Sequence, residues 1–339
     1  MKHANIAIFV PHSGCPHQCS FCDQRSITGQ LSQPTPQDVT AAASQATRDL
    51  GERSREAEIA FFGGSFTAIP RAQMESLLQA AAPFVREGVF SGIRCSTRPD
   101  AVDREVLSLL KSYGVTAVEL GAQSADDRVL ALNRRGHTAQ DIRQASRLIR
   151  QAGLSLGLQM MTGLFGSSPE SDLATARELA DLHPDTMRIY PTVVLRGTLL
   201  SQWYEQGRYR PPTLEEAVDL CARLLVWFEQ RQIPVIRLGL HDSESLQSQR
   251  IAGPYHPAFR ELCESRLFRQ LLQQALPVGA EKALMIRVHP RSISPCVGQK
   301  RSNRLWLEQQ GFRVKICPDD TLGRYEVRIS GLSEEKKNR

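Results

Sequence analysis

Residues 15–22 read Cys15-Pro-His-Gln-Cys19-Ser-Phe-Cys22, which places three thiols within eight residues. The chain has eight cysteines in 339 residues, so a given pattern of this kind should arise by chance only roughly 0.005 times. A disulfide framework would leave one of the three thiols unpaired. The cluster therefore predicts a bound metal ion or metal cluster. The other five cysteines are scattered singly and are typical of small buried residues in a reducing compartment.

Three kinds of site fit this spacing. A zinc ion would need a fourth ligand, which His12 or His17 can supply. A ferredoxin-type cluster needs a fourth cysteine at its own spacing, and the sequence lacks one there. A [4Fe–4S] cluster held by three cysteines leaves one iron open to a substrate or cofactor, as a catalytic zinc keeps an open position. The thiols alone leave these alternatives open.

A repeated alternation of strands and helices surrounds the cysteine cluster. Strands are predicted at residues 5–10, 58–62, 92–96, 115–120, 154–160, 186–194 and 234–238. Helices are predicted between them at residues 36–50, 71–84, 103–113, 138–152, 168–182 and 213–230, several of which begin at capping residues: Thr35, Thr138, Ser168 and Thr213. The alternation predicts an α/β fold with a parallel sheet, either an open βα barrel or a doubly wound sheet. In the barrel, chemistry lies at the C-terminal ends of the strands, and the cysteine loop directly follows the first strand.

Charge is distributed unevenly along the chain, whose net charge is +6. Residues 1–280 contain 29 basic and 29 acidic side chains, whereas residues 281–339 contain 13 basic and 7 acidic ones. We predict a core over residues 1–240, a helical connector over 241–280 and a small basic β-α-β domain over 281–332. The elements predicted after the core are a helix at 262–276, strands at 284–288, 312–316 and 324–329, and a helix at 302–310. A basic module on a neutral body indicates an anionic partner such as nucleic acid, or simply a solvated basic surface.

Membrane and secreted proteins do not fit the sequence. The longest uninterrupted apolar run, Leu224–Phe228, is far too short to span a bilayer. The N-terminus enters an alternating strand pattern within six residues, without the apolar segment of a signal peptide. We therefore expect a folded cytoplasmic protein with no membrane contact.

The cysteine pattern and four further motifs resemble a known enzyme family. With the aromatic residue Phe21 before its last cysteine, the pattern resembles that of the radical S-adenosylmethionine (radical SAM) superfamily. The further motifs are Phe61-Phe-Gly-Gly-Ser-Phe-Thr67, Glu119-Leu-Gly-Ala-Gln-Ser124, Asn133-Arg-Arg-Gly-His-Thr138 and Arg188-Ile-Tyr-Pro-Thr-Val-Val-Leu-Arg-Gly-Thr198. Over residues 6–240 they resemble the radical SAM core of the Elongator catalytic subunit and its archaeal and bacterial homologues. Those enzymes carboxymethylate the wobble uridine of tRNA.

The resemblance implies a partial (βα)6-type barrel, a [4Fe–4S] cluster, S-adenosyl-L-methionine (SAM) and a reductant protein of the flavodoxin or ferredoxin type. An electron from the cluster would cleave SAM to a 5′-deoxyadenosyl radical, which abstracts hydrogen from the substrate. The implied cluster ligands are Cys15, Cys19 and Cys22. The implied SAM contacts are Phe21 through its backbone, Gly63, Gly64, Ser65, Ser96, Gln123, Arg135 (or its neighbour Arg134) and Gln159. The implied catalytic residues on the substrate side are Arg188, Tyr190 and Arg196.

Three features depart from the Elongator pattern. The cysteines are more closely spaced than in that family. Ser96 stands where the relatives have an acidic residue on the third strand, which affects the expected contact to the ribose of SAM. We expect residues 281–332 to form a basic domain at the position where the acetyltransferase domain follows the core in those enzymes. We expect that basic domain to bind tRNA or another RNA.

Two other functions compete with RNA modification. Oxygen-independent coproporphyrinogen oxidase has a similar core, and its polycarboxylate substrate would suit arginines equally well. A zinc-bearing adaptor that binds nucleic acid without catalysis would also explain the thiols and the basic domain. Iron and sulfide content and SAM cleavage separate the adaptor from both enzymes.

Overall fold

A computed structural model describes residues 4–11, 19–22, 32–276 and 281–331. The first eight strands in chain order are β1 (Asn5–Val10), β2 (Glu58–Gly63), β3 (Gly92–Thr97), β4 (Val115–Gln123), β5 (Ser155–Thr162), β6 (Thr186–Pro191), β7 (Val194–Leu195) and β8 (Val235–Leu238). The first eight helices are α1 (Pro36–Leu50), α2 (Arg71–Arg86), α3 (Arg104–Ser112), α4 (Asp127–Leu132), α5 (Ala139–Gln151), α6 (Pro169–Ala180), α7 (Leu199–Glu205) and α8 (Leu214–Glu229).

Seven of these strands form one parallel sheet in the order β1-β2-β3-β4-β5-β6-β8. The sheet curls into a half-barrel, and β1 and β8 are its two edges within the described residues. The strand order follows the chain, as a barrel requires, and does not reverse as it does in a doubly wound sheet. The open-barrel prediction is therefore confirmed, and the cysteine segment follows β1 at the C-terminal edge of the sheet.

Alternate residues of each strand divide the sheet into an apolar outer face and a polar inner face. Phe61, Cys95, Leu120 and Leu158 are fully buried on the outer side, where the helices cover the sheet. The inner side instead carries Glu58, Arg94, Glu119, Gln159 and Arg188 on five successive strands. A half-barrel with charged side chains on its inside is suited to hold polar ligands there rather than to fill the space with apolar side chains.

The local signals of the sequence set the helix starts. Thr35, Thr138, Ser168 and Thr213 are the N-caps of α1, α5, α6 and α8, and each forms a reciprocal capping box. The strand predicted over residues 186–194 is shorter than expected. It ends at Pro191, and residues 194–195 form β7, which pairs outside the main sheet with β9 (Arg250–Ala252), after α9 (Glu244–Gln249).

The chain divides into two compact units. The first comprises Met1–Pro212 and Arg231–Pro254, and the second comprises Thr213–Gln230 and Tyr255–Arg339. The elements of the second unit after α8 are α10 (Phe259–Ala275), β10 (Ala283–Val288), α11 (Ile293–Val297), α12 (Ser302–Gln309), β11 (Arg313–Pro318) and β12 (Val327–Gly331). Its three strands pair in the order β11-β10-β12, with β12 antiparallel to β10. One face of this sheet packs on helix residues including Phe268, Leu272 and Leu307.

A helix that crosses a bilayer needs about 20 predominantly apolar residues. No helix in the described ranges has that combination of length and apolarity.

Candidate active site

Residues 19–22, the described part of the cysteine segment (residues 15–22), are fixed by hydrogen bonds at the C-terminal edge of the sheet. The backbone N–H of Ser20 donates to the carbonyl oxygen of Asn133 at 3.1 Å, and its hydroxyl donates to Oδ1 of Asn133 at 2.7 Å. The N–H of Leu200, the second residue of α7, donates to the carbonyl oxygen of Ser20 at 2.7 Å. Ser20 and Asn133 are both fully buried. Residues 19–22 are therefore held between the end of α4 and the start of α7.

Phe21 anchors the same segment by apolar packing. Its side chain packs on a cluster that includes Phe165, Trp203 and Tyr209, in which the ring centroids of Phe165 and Trp203 are 4.5 Å apart. Because the ring is used for packing, a contact of Phe21 with the adenine of SAM would fall to its backbone, as the resemblance implies. That contact stays a prediction.

Arg135 joins the cysteine segment to the end of β4. Its Nη1 donates to Sγ of Cys19 at 3.1 Å, and its Nη2 donates to the carbonyl oxygen of Gly121 at 2.6 Å. Arg135 is buried, whereas Arg134 is exposed with a positive φ of 54°. Of the two neighbours, Arg135 is thus the one beside the cysteine. Cys22 is half-buried nearby in the chain, and Cys15 lies outside the described residues.

The end of β4 brings Gln123 close to Arg135. A Cβ atom on Gly121 would lie 3.0 Å from Nε2 of Gln123 and 3.4 Å from Nη2 of Arg135, so both side chains pack closely over this glycine. Within the described residues, Oε1 of Gln123 and Nε of Arg135 are buried and have no hydrogen-bond partner. Buried polar atoms normally have partners. A ligand that presents both an ammonium and a carboxylate group would satisfy this acceptor and this donor.

The end of β2 and the residues that follow it, Gly63–Ser65, lie at the same C-terminal edge of the sheet. Gly63 has a φ of 107°, and a Cβ there would lie 3.2 Å from the carbonyl oxygen of Val10, so a side chain would be strained. The N–H of Gly64 donates to that same oxygen at 2.8 Å. The hydroxyl of Ser65 accepts from the N–H of Arg98 and contacts the hydroxyl of Thr97 at 2.8 Å. Since these groups are used within the protein, the predicted contact of Gly63, Gly64 and Ser65 with a ligand ammonium group rests on their carbonyl oxygens.

Glu119 is the centre of the polar inner face. Its carboxylate pairs with Arg188 at 2.7 Å and with Arg94 at 3.2 Å, and it accepts from Nε2 of Gln159 at 3.1 Å. The hydroxyl of Ser96 lies 3.5 Å from Oε2. Glu119 is only 1% exposed. The predicted SAM residues Ser96 and Gln159 and the predicted catalytic residue Arg188 are thus brought together by one carboxylate on β4.

The inner face makes room for this carboxylate and balances its charge. A Cβ on Gly157 of β5 would lie 2.7 Å from Cγ of Glu119, so the glycine leaves the space that the side chain occupies. Glu58 on β2 pairs with Arg94 at 2.8 Å. The guanidinium of Arg188 also lies 5.2 Å from the centroid of the Phe62 ring. The two glutamates and two arginines form a neutral set across four strands.

The remaining predicted catalytic residues differ in their placement. Tyr190 lies on β6 two residues beyond Arg188, on the same face of the strand. Burial raises the pKa of Tyr190, although the charge of Arg188 acts in the opposite direction, so its hydroxyl is protonated at neutral pH. Burial lowers the pKa of Arg188, but the Glu119 carboxylate outweighs it and the pKa is raised. Arg196 follows β7, is exposed, and shares no described hydrogen bond or ion pair with Arg188 or Tyr190.

Sequence reasoning missed the roles of Glu119, Arg94 and Asn133. All three were visible as charged or amide residues inside apolar strands or helix ends, where they are rarely buried without partners. Their partners lie 25 to 113 residues away in the chain, so only the strand register shows which side chains meet. Asn133 also donates to the carbonyl oxygen of Phe165 at 2.9 Å, which ties the cysteine segment to the loop after β5.

Sequence and structure comparisons relate the chain to known proteins. The Radical SAM superfamily profile matches residues 9–179, and the Radical_SAM C-terminal domain profile matches residues 184–269. The chain is 30% identical over 240 residues to the tRNA uridine(34) acetyltransferase of Dehalococcoides mccartyi (strain CBDB1), covering 61% of this chain and 52% of that one. It is 30% identical over 301 residues to Elongator complex protein 3 of Danio rerio, covering 78% and 52%. The chain thus spans about half the length of these curated relatives.

Among solved structures, the archaeal Methanocaldococcus infernus Elp3 with its N-terminus (1–46) deleted superimposes with a TM-score of 0.62 at 22% identity, covering 79% of this chain and 63% of that one. This likeness shows a shared fold. The superfamily profile spans half of the chain and includes the cysteine segment, Arg135 and Gln123. The chain therefore belongs to the radical SAM superfamily, whose enzymes use a [4Fe–4S] cluster and S-adenosyl-L-methionine.

Proposed function

We propose that this radical SAM enzyme modifies a base of tRNA, of the wobble-uridine kind, and that the basic second unit helps to bind the RNA. The observation that carries the proposal is the meeting of Cys19, Arg135 and Gln123 at the sheet edge. It occurs in a chain that resembles enzymes named for tRNA uridine 34. The cytoplasm, where thiols stay reduced, is the compartment that this function requires.

The residues fit the cofactors of the superfamily. Cys15, Cys19 and Cys22 would ligate the cluster, Arg135 would bind the carboxylate of SAM, and Gln123 would accept from its amino group. When bound, the cluster and SAM together supply a 5′-deoxyadenosyl radical for hydrogen abstraction. The protein's part is to hold these groups rigidly, because a planar guanidinium offers a fixed fork of donors to a carboxylate. The apolar cluster at Phe21 packs beside the cysteine segment, which favours exclusion of water from the site.

The second unit presents a basic sheet face. Because alternate residues of a strand share a face, Arg313 and Lys315 of β11 point to the side opposite the packed core. The register pairs Arg287 of β10 with Arg328 of β12 on that same side. Arg313, Lys315 and Arg328 are exposed, and Arg328 pairs with Asp319 at 3.2 Å. A row of basic side chains on an open sheet supports contact with the phosphates of an RNA backbone.

Neutralising this face should weaken tRNA binding and its dependence on salt. We expect the triple variant R313Q/K315Q/R328Q to reduce the slope of log affinity against log salt by about 2–3, since each lost phosphate contact removes about 0.7–0.9. A filter-binding or anisotropy titration of bulk tRNA at four salt concentrations measures the slope. The matched control neutralises Arg48, Arg53 and Arg55, which are exposed in the first unit. Equal slopes for the two triple variants would reject the sheet face as the RNA platform.

The modification itself is tested by comparing tRNA nucleosides from strains with and without the gene. We expect one modified uridine to disappear from the mass-spectrometric profile of the deletion strain and to return with the wild-type gene, but not with a Cys19→Ala gene. The Cys19→Ala comparison ties the nucleoside to cluster chemistry, because it removes one proposed ligand. An unchanged profile would reject RNA modification and leave a small polycarboxylate such as a porphyrinogen as the substrate to test.

A further inference from the structure

A second arginine lies beside Arg188 on the inner face of the half-barrel. Arg237 of β8 is the register partner of Arg188 of β6, so the two guanidinium groups stem from adjacent positions on neighbouring strands. Like charges in such positions repel each other unless anions compensate them. Because alternate residues of a strand share a face, Arg188 and Tyr190 of β6 and the register partner Arg237 lie on one side of the sheet. The positive charge of Arg237 acts to lower the pKa of Tyr190.

Only one of the two cations is compensated within the described residues. Arg188 faces the Glu119 carboxylate with one edge of its guanidinium: Nε lies 2.7 Å from Oε2, and Nη2 donates to Oε1 at 2.8 Å. Arg237 instead donates from Nε to the carbonyl oxygen of Gly239 at 3.1 Å, and its Nη2 lies 3.2 Å from Nδ1 of His241. Neither a carbonyl oxygen nor an imidazole ring supplies a negative charge. These contacts use two of the five N–H donors of a guanidinium and orient its plane.

Arg237 also lies where a large ligand can reach it. Strand β8 is an edge of the half-barrel within the described residues, and Arg237 is half-buried there. The residues that fit the ammonium and carboxylate groups of SAM lie elsewhere, at or after the ends of β1, β2 and β4. A ligand group at Arg237 is therefore separate from the carboxylate held by Arg135.

We propose that Arg237, with Tyr190 and His241 beside it, forms an oxyanion subsite that binds a phosphate group of the nucleotide substrate. This proposal rests on the proposed function, since it takes the substrate to be RNA. The planar guanidinium provides the bidentate donors that a phosphate accepts, and the phenol of Tyr190 adds a further donor. The subsite would set the position of the nucleotide relative to the cofactor, so Arg237 is a binding and positioning residue.

The test measures binding of uridine 5′-monophosphate to the full-length, cluster-loaded protein with SAM, by the ³¹P line width of the nucleotide. We expect Arg237→Gln to weaken this binding about tenfold or more, as for the loss of a charge-assisted hydrogen-bonded pair. Arg237→Lys should restore part of it, because the point charge remains without the fork. Uridine without phosphate, followed by the ¹H line widths of its base, should bind both proteins equally. Arg231→Gln, an exposed arginine that precedes β8, is the matched control and should bind like the wild type.

Iron content and far-UV circular dichroism should be the same in Arg237→Gln and the wild type, which excludes a folding defect. Wild-type affinity of Arg237→Gln for the monophosphate would overturn the subsite. Succinate competing as well as inorganic phosphate would overturn the assignment to phosphate and favour a carboxylate. The outcome is distinct from that of the proposed function: an unchanged tRNA profile with Arg237-dependent phosphate binding would reject RNA modification and keep the subsite.

Discussion

We expect the Glu119→Gln variant to lose about 3–5 kcal/mol of unfolding free energy, the cost typical of removing one partner from a buried ion pair. Glu119 is 1% exposed, and its carboxylate accepts hydrogen bonds or pairs with Arg94 of β3, Gln159 of β5 and Arg188 of β6. The amide would keep one acceptor oxygen but no charge. Arg94 would still face Glu58, whereas Arg188 would be left as a buried cation without a described carboxylate.

Urea unfolding followed by far-UV circular dichroism measures this loss. The matched control is Glu105→Gln, which breaks an ion pair with Arg71 of similar length, 3.3 Å, at a side chain that is 82% exposed. Such surface pairs contribute about 0–1 kcal/mol, so the control midpoint should stay close to that of the wild type. If both variants unfold at the same urea concentration as the wild type, the inner charge network is not a source of stability.

The same variant should also impair SAM cleavage. Gln159 and Arg188 are held by Glu119, and both lie on the face that the resemblance assigns to cofactor and substrate. A purely structural role would lower stability alone, whereas a positioning role also raises the KM for SAM at a temperature where the variant is fully folded. Ser96 gives this role a specific meaning, because Glu119 is the described carboxylate nearest to the position where the relatives have an acid.

The sequence predicts the order of strands and helices because those signals are local. Thr213 and Glu216 are three residues apart and form the capping box that starts α8, so the helix start can be read without the fold. The cysteine spacing is local too, and with Phe21 it is enough to indicate the superfamily. Buried strands with apolar outer positions then leave few alternatives to a parallel sheet.

The contacts inside the half-barrel are not local and could not be predicted. Arg188 and Glu119 are 69 residues apart, and their pairing depends on how β4, β5 and β6 align. The sequence predicts that Arg188 is a cation available to substrate. The structure instead shows Arg188 neutralised by Glu119, whereas Arg237 has no carboxylate partner among the described residues and is the cation that remains for a ligand. A one-residue change of register would place every one of these side chains on the opposite face.

The largest functional effect is expected for Cys19→Ala, which should eliminate the [4Fe–4S] cluster and reduce SAM cleavage by about three orders of magnitude or more. A cysteine binds a metal as the thiolate, and Nη1 of the Arg135 guanidinium lies 3.1 Å from the sulfur of Cys19.

Cys95 provides a matched control in the same sheet. Burial raises its pKa to about 12, so its thiol stays protonated, and it lies on the outer face among apolar residues. Cys95→Ala should therefore retain four iron atoms per chain by the stoichiometry of the cluster, at a modest cost in stability. Iron and sulfide analysis of anaerobically purified variants, with 5′-deoxyadenosine measured under reductant, distinguishes the two thiols. Full iron content in Cys19→Ala would refute its role as a ligand, and loss of iron in Cys95→Ala alone would move the cluster to the other side of the sheet.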